Sequence, residues 1–367
     1  MKTIRVAIIG QGRSGRGIHG AHLLKVKDEQ HYRIVAVSDP LEERRQRAAQ
    51  EYGCDVYADY RELLKRKDLD LVINTTPSHL HVLVSLEFLK AGFNVLCEKP
   101  LARTAADVDK LIAASKKSGK LLAIFQQSRY APYFRQVQKV IKSGVLGRIV
   151  QISTAMSGFA RRWDWQTLQE NNGGNLLNTG PHPLDQALVL FGEGMPRVTC
   201  FMDRANTFGD AEDYVKLILS GPKNPVVDLE ISSCQAYPGP AYVVQGTRGG
   251  MKATTGAAEW RYFKLSEAPK QKLIRTPIVN AEGLPAYVSE ALKWHTDKWE
   301  VPPAQADLYG GMAGEFYAGL YRTLSAGKPL EITPQQVRRQ IAVIEECQRQ
   351  NPQIYKSVKS KAAVCRI

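Results

Sequence analysis

A chain of 367 residues exceeds the length at which one hydrophobic core keeps growing, so its length predicts two domains. No apolar stretch approaches the roughly 20 residues that a membrane span needs, and the six cysteines lack Cys-x-x-Cys spacing, which favours a reduced, cytoplasmic protein. The formal net charge of +14 comes from basic residues that alternate with acidic ones, which argues against a nucleic-acid partner.

A glycine-rich turn follows the first apolar run. Gly10-Gln11-Gly12-Arg13-Ser14-Gly15 matches G-x-G-x-x-G, in which the glycines allow a tight turn, close approach of a diphosphate and close helix packing. Asp39 ends the second apolar run, at about the offset of an acid that binds ribose. Such a carboxylate repels a 2′-phosphate and favours NAD over NADP, although Arg44 and Arg45 nearby can accommodate that phosphate. The alternative is a glycine turn with a helix-capping aspartate.

The first third of the chain alternates short apolar runs with amphipathic stretches, which predicts a parallel sheet covered by helices. Thr104 with Asp107 resembles a capping box, and Gly119 offers a left-handed stop to the same helix. We therefore predict a dinucleotide-binding Rossmann domain over residues 1–126. The apolar runs that we expect to be its strands are 5–9, 34–37, 69–74, 94–97 and 121–125.

Longer alternating segments begin after residue 147, and they predict a mostly antiparallel, open-faced sheet in a second, α+β domain. We expect this domain, over residues 127–332, to bind substrate and to mediate oligomerisation. Two closing helices are predicted, one over 311–324 and one from Thr333-Pro334, a capping residue followed by proline. Residues 333–367 are expected to form a C-terminal helix that packs near the first domain, and a basic, frayed tail over 356–366.

Two residues suggest proton chemistry. Lys99, in Glu98-Lys99-Pro100, directly follows an apolar run, so it is expected at the end of a buried strand. His182 lies in a segment, 178–185, whose prolines predict a kinked or late-starting helix. The alternatives are a solvated lysine and a packing histidine. His19 and His22 are predicted to pack on a helix, and no convincing zinc ligand set is present.

Four motifs in order resemble the Gfo/Idh/MocA family of glucose-fructose oxidoreductase and inositol dehydrogenase. They are the glycine turn, Thr76-Pro77-Ser78-His79-Leu80-His81, Cys97-Glu98-Lys99-Pro100-Leu101-Ala102, and the segment 173–185. The resemblance implies NAD(P)-dependent chemistry on sugars or polyols. It also implies that Thr76, Pro77, His79, His81 and Glu98 lie on the cofactor side.

The resemblance further matches Lys99 and His182 to the family's active-site lysine and histidine. Asn178 stands where relatives commonly have aspartate, and an amide cannot take a proton. Because histidine needs little perturbation to act near neutral pH, we assign His182 as the acid/base and Lys99 as a stabiliser or shared proton handler. Asn178 is assigned to orient substrate, and Asp185 to contact it directly or through a neighbour.

Substrate recognition is predicted to involve two further segments. Arg129 follows the last parallel strand, where ligand-contacting loops gather. Trp163, Asp164 and Trp165 form an aromatic, polar loop that suits the apolar faces and hydroxyls of a sugar, or alternatively a subunit contact.

Three functional hypotheses follow. The leading one is an NAD-dependent dehydrogenase of a sugar, glycoside or polyol, similar to an inositol or glucoside 3-dehydrogenase. The others are a catalytically silent NAD-binding regulator and an enzyme that uses bound NAD for redox-neutral glycoside cleavage or elimination. The exposed sheet face predicts a homodimer or homotetramer.

Overall fold

The computed structural model describes residues 2–26, 29 and 31–355, so the predicted tail 356–366 lies outside the described residues. Two sheets organise the chain: a parallel one of Rossmann type and a larger, mostly antiparallel one, as expected for this fold class. Among the described helices, none is long and apolar enough to cross a membrane.

The first sheet has six parallel strands in the order β3-β2-β1-β4-β5-β6. Its central strands are buried along almost their whole length, which explains their unbroken apolar sequences. The sequence did not predict β3, a partly exposed edge strand without an apolar run. The strands are β1 (Ile4–Ile9), β2 (Tyr32–Ser38), β3 (Asp55–Tyr57), β4 (Leu71–Asn74), β5 (Val95–Cys97) and β6 (Leu122–Ile124).

Helices connect these strands. A π-helical turn, Gly15–Gly20, runs straight into α1 (Ala21–Lys25). The others are α2 (Glu42–Tyr52), α3 (His81–Lys90) and α4 (Ala105–Ser118). As predicted, the Thr104 side chain caps α4, and Gly119 ends it with a left-handed φ of 65°.

The second sheet has eight strands in the order β16-β13-β12-β11-β7-β10-β9-β8. Only the β7–β10 pair is parallel within it. Along β8, buried and exposed residues alternate strictly, so this strand has one covered and one open face. The strands are β7 (Ile149–Ser157), β8 (Arg197–Asp203), β9 (Tyr214–Ser220), β10 (Val226–Ser232), β11 (Tyr242–Gly246), β12 (Gly249–Ala253), β13 (Ala257–Tyr262) and β16 (His295–Glu300), with the separate pair β14 (Ile278–Val279) and β15 (Pro285–Ala286).

The remaining helices join the two sheets. They are α5 (Pro132–Ser143), α6 (Asn175–Asn178), α7 (Pro181–Phe191), α8 (Leu308–Ala326) and α9 (Pro334–Gln350). The helix α7 packs on β7 and β10, while α9 packs against α4, α7 and β8. Thr333 caps α9 with a complete capping box, and α8 extends beyond its predicted range at both ends. The domain boundaries at residues 126 and 332 stay predictions.

Candidate active site

The glycine turn leaves one side of its backbone open. A Cβ at Gly15 would lie 1.9 Å from the Gly10 carbonyl oxygen, so this glycine is required for packing. A Cβ at Gly12 would meet only Arg44 Nη1, at 3.9 Å. The open space beside Gly12 therefore fits the close approach of a diphosphate, and the turn leads into a helix N-terminus that favours anions.

Asp39 anchors this turn. Its Oδ2 accepts a hydrogen bond from the Gln11 backbone N–H at 2.7 Å, and its Oδ1 accepts one from Leu41 at 2.9 Å. Arg44 Nη1 lies 3.4 Å from Oδ2. Because each carboxylate oxygen has two acceptor sites, these bonds leave acceptor capacity for ribose hydroxyls. Arg44 thus places a cation beside this carboxylate.

The segment after β4 borders the glycine turn. His81 is buried, and its ring nitrogens lie 2.7 Å from the Pro100 carbonyl oxygen and 2.9 Å from that of Thr76. His81 therefore fixes the Thr76 loop to the strand end that carries Lys99. Pro77 and His79 are exposed, on the outer side of this loop.

Lys99 follows β5 at the carboxyl edge of the first sheet. Its Nζ donates to the backbone carbonyl of Asn178 at 2.8 Å, which joins the segment after β5 to the end of α6. Burial lowers the pKa of Lys99, while the neighbouring Glu98 carboxylate opposes this effect and Arg13 adds to it. Such a lysine gives up its proton more readily than one in water.

His182 lies in the first turn of α7. Its Nδ1 is 3.1 Å from the Ser128 hydroxyl oxygen, which leaves Nε2 for a ligand. Burial and then the charge of Lys99 lower the pKa of His182 to about 3, against a smaller opposing effect of Glu98. The imidazole is therefore neutral at physiological pH. As the prolines predict, α7 starts late, after Thr179 and Gly180 separate it from α6.

The Asn178 side chain pairs with another amide. Its Oδ1 accepts from Gln166 Nε2 at 3.3 Å, and its Nδ2 donates to Gln166 Oε1 at 3.4 Å. Gln166 Oε1 also accepts from Arg162 at 2.6 Å. The side chain that sequence reasoning assigned to substrate is thus connected to the aromatic loop.

Asp185 and Arg129 bind each other. Both are buried, and the guanidinium meets both carboxylate oxygens, with Arg129 Nε 2.8 Å from Asp185 Oδ2. Arg129 also donates to Gln336 Oε1 of α9 at 2.8 Å. This ion pair uses the polar atoms that were expected to contact substrate, so the two residues tie α7 to the loop after β6 and to α9.

The aromatic loop lies at the surface. Trp163 is 79% exposed and Trp165 47% exposed. Asp164 caps the short turn Trp165–Thr167 by accepting from the Gln166 N–H, and it also binds Arg162. The loop therefore exposes two tryptophan side chains, and the hydrogen bonds of Asp164 hold its backbone in place.

A cavity of about 300 Å³ adjoins α7. Pro183 and Gln186 form its α7 side, one residue and one turn beyond His182. The end of β7, the start of β11 and the loop around Gly239 also line the cavity. The cavity has both polar and apolar walls, as a binding site for a ring with hydroxyl groups requires.

Sequence reasoning did not single out several site residues. Ser128 and Gln166 stand in the two segments predicted to recognise substrate, and Gln186 stands in neither; all three carry hydrogen bonds within the site. Single polar residues in loops and helices give no distinctive signal. His19, predicted to pack on a helix, does so but also hydrogen-bonds Glu98. In the described ranges, no cluster of three or more His, Cys, Asp or Glu residues is arranged to hold a metal ion.

Two stretches of the chain match known family models. Residues 4–126 match the family model described as "Oxidoreductase family, NAD-binding Rossmann fold". Residues 134–252 match the "GFO/IDH/MocA C-terminal domain".

Characterised relatives act on different carbohydrates. A 2,7-anhydro-N-acetylneuraminate hydratase of Mediterraneibacter gnavus is 31% identical over 69% of this chain and 67% of its own length. The scyllo-inositol 2-dehydrogenase (NADP(+)) of Bacillus subtilis is 31% identical over 66% of this chain and 67% of its own. The D-glucoside 3-dehydrogenase of Escherichia coli is 33% identical over 52% and 54%.

Solved structures share the whole fold. A NAD-binding protein from Listeria innocua superposes with a TM-score of 0.76 at 21% identity, covering 95% of this chain and 97% of its own. The WlbA dehydrogenase of Bordetella pertussis, in complex with NADH and UDP-GlcNAcA, gives 0.74 at 18% identity and 96% of each chain.

Proposed function

Because this chain belongs to the GFO/IDH/MocA oxidoreductase family, we propose that it is an NAD-dependent dehydrogenase of a sugar, glycoside or polyol. The observation that carries the proposal is the hydrogen bond from Lys99 to the segment that bears His182. It brings two proton-handling side chains together at the carboxyl edge of the nucleotide-binding sheet, where ligands of such sheets bind.

The coenzyme would lie along the glycine turn. The open side of Gly12 would take the diphosphate, Asp39 the ribose, and the edge near Glu98 and Lys99 the nicotinamide end. When bound, NAD accepts the hydride from the alcohol carbon of the substrate, while the hydroxyl proton leaves to a protein base. The products are a ketone, NADH and one proton. The Asp39 carboxylate favours NAD over NADP.

The pKa values support a division of the proton work that differs from the sequence assignment. A base with a pKa of about 3 holds a proton weakly, so neutral His182 is better suited to hydrogen-bond and orient the hydroxyl. Lys99, whose pKa is lowered by burial, is the better proton acceptor. Lys99→Met and His182→Ala should each keep NAD affinity and lower turnover by about 10²- to 10⁴-fold.

The cavity beside α7 and the exposed Trp163 support the substrate class. The cavity beside α7 would hold the part of the substrate remote from the reacting carbon, and Trp163 would cover a sugar face. Two relatives are named as dehydrogenases of an inositol and of a glucoside, which supports the same type of reaction here.

A second candidate is redox-neutral chemistry, in which the substrate is oxidised and reduced again on one enzyme-bound NAD. The 31% identity to an anhydro-sugar hydratase favours it. Such a reaction would use the same Lys99 and His182 but release no NADH.

One screen separates the two. The purified protein is incubated with NAD and inositols, free sugars, methyl glucosides and 2,7-anhydro-N-acetylneuraminate, and both NADH and sugar products are measured. Ketone with stoichiometric NADH supports the dehydrogenase. A converted sugar without net NADH supports the second candidate, and NAD binding without turnover across the panel overturns both in favour of a silent regulator.

We also propose a homodimer or homotetramer that covers the open face of the second sheet. Sedimentation velocity tests it, and a monomer at micromolar concentration would contradict it.

A further inference from the structure

A buried carboxylate lies next to the lysine of the site. Glu98 is 5% exposed, and its Oε2 accepts a hydrogen bond from the Lys99 backbone N–H at 3.0 Å. Its other oxygen, Oε1, is 3.1 Å from His19 Nε2. Both oxygens of this carboxylate are therefore held inside the protein, one by the active-site strand and one by a histidine from another element.

When the imidazole of His19 is neutral, the hydrogen-bond pattern fixes its tautomer. An ionised Glu98 can only accept, so Nε2 must carry the hydrogen. Nδ1 is then an acceptor, and the Tyr317 hydroxyl, 2.6 Å away, donates to it. The result is a directed chain from the Tyr317 hydroxyl through the imidazole to Glu98, with neither His19 nor Tyr317 open to water.

His19 and Tyr317 come from two helical elements that are far apart in the sequence. His19 belongs to the π-helical turn Gly15–Gly20, a rare helical form that is often found at functional sites. Tyr317 lies 298 residues later on α8, where its backbone carbonyl accepts a hydrogen bond from Tyr32 at 2.8 Å and its ring stacks on His22. The chain of bonds therefore links a helix far along the sequence to the lysine of the site.

Electrostatics gives this chain a role. Burial favours the neutral acid, but the hydrogen bond from His19 and the charge of Lys99 oppose this effect and lower the pKa of Glu98. The charged groups that face Lys99 are Glu98 and Arg13, and the neutral His182 lies nearby. Glu98 is thus the anion that opposes the effect of burial on Lys99 and so sets how readily the lysine gives up its proton and becomes the acceptor.

We propose that His19 and Tyr317 are positioning residues that hold Glu98 as a carboxylate beside Lys99. The inference rests on the proposed function, in which Lys99 handles a proton. Without the His19 donor, the buried Glu98–Lys99 pair becomes neutral by moving the lysine proton to the carboxylate. Lys99 is then deprotonated at a lower pH than in the wild-type protein.

The test titrates Lys99 directly in the free enzyme, by NMR of lysine labelled with ¹³C, with Lys99→Met to assign the signal. Glu98→Gln should lower the midpoint by about one pH unit, since it removes the opposite charge. His19→Leu should lower it by at least half as much, and Tyr317→Phe by less. The double variant Glu98→Gln with His19→Leu should show the shift of Glu98→Gln alone, because His19 acts on Lys99 only through Glu98.

Two variants serve as controls. His19→Gln offers an amide N–H where the imidazole Nε2–H stood, so it should restore the wild-type midpoint. His22→Gln changes a histidine that stacks on Tyr317, and it should leave the midpoint unchanged.

The outcomes separate this inference from the function. If Glu98→Gln shifts the titration midpoint of Lys99 but neither His19→Leu nor Tyr317→Phe does, the proposed role of His19 and Tyr317 is wrong, even if the enzyme turns over sugars. If the midpoints shift as expected but no substrate is turned over, the proposed dehydrogenase activity is wrong while the proposed role of His19 and Tyr317 is supported. If His19→Leu does not fold, Tyr317→Phe and His19→Gln decide: an equal midpoint in wild type and Tyr317→Phe contradicts the proposal.

Discussion

Lys99 Nζ donates its hydrogen bond to the backbone carbonyl of Asn178, not to the side chain. The amide side chain is paired with Gln166 instead. The lysine is therefore held by the fold of this segment, and the residue type at position 178 acts on it only through charge.

Asn178→Asp should raise the pKa of Lys99, because it adds an opposite charge near the ammonium. We expect the limb of the kcat/KM pH profile that reports Lys99 to move up by about one pH unit. Asn178→Ala is the matched control, since it removes the amide pair but adds no charge, and its limb should stay in place. A downward shift in Asn178→Asp would contradict the assignment of this limb to Lys99.

Two glycines of the nucleotide turn should respond differently to the same change. Gly15→Ala places a methyl group against the Gly10 carbonyl, so it should lower the free energy of unfolding by more than about 3 kcal/mol. Gly12→Ala has room in the protein itself, so Tm should hardly change while the Kd for NAD rises at least about tenfold. Calorimetry and NADH fluorescence measure the two effects. Unchanged NAD affinity in Gly12→Ala would place the diphosphate elsewhere.

Coenzyme choice should depend on the charge of Asp39. Asp39→Asn keeps an acceptor for the Gln11 N–H but removes the negative charge, so NADP should gain about tenfold or more in affinity relative to NAD. Arg44→Ala in that background should cancel the gain, because its guanidinium lies beside the side chain at position 39. Titration of all three proteins with both coenzymes checks this. A wild-type protein that already binds NADP more tightly would refute the NAD assignment.

Glu212 should make stability fall as pH rises. It is buried, and it accepts hydrogen bonds from the Leu176 N–H at 2.7 Å and from the Tyr355 hydroxyl. Burial raises its pKa from 4.5 to about 7, against the effect of these hydrogen bonds. The folded state therefore keeps a proton that the unfolded state releases between pH 4.5 and 7, and stability is lost across this window.

Glu212→Gln should remove that loss, which is on the order of 3 kcal/mol for a shift of this size. Its Tm at pH 8 should exceed that of the wild type, while the two proteins should be similar near pH 4.5. Thermal unfolding at several pH values measures the difference. An identical pH dependence in both proteins would show that another group carries it.

The sequence predicted the features that depend on local pattern. Buried strands such as β1 and β4 appear as apolar runs because both faces are covered, and the ends of α4 follow from Thr104 and Gly119. The late start of α7 follows from its prolines. The family and fold class are likewise confirmed.

Features that depend on contacts between distant residues could not be predicted. Nothing in the local sequence connects His19 to Tyr317, and Arg129 and Asp185 pair across 56 positions. The pKa of His182 is lowered by burial and by Lys99, which follows β5, so its role could not be judged from its residue type. The contact of Lys99 with a backbone carbonyl is equally independent of side-chain identity.

The anchors of the active-site segment arrive late in synthesis. Gln340 of α9 donates to the Pro181 carbonyl at 2.5 Å, and Tyr355 binds the Glu212 that holds the start of α6. A ribosome releases both anchors only after the nucleotide-binding sheet and the second sheet have emerged. The nascent chain can thus form its nucleotide-binding sheet before the segment that bears His182 has its last anchors.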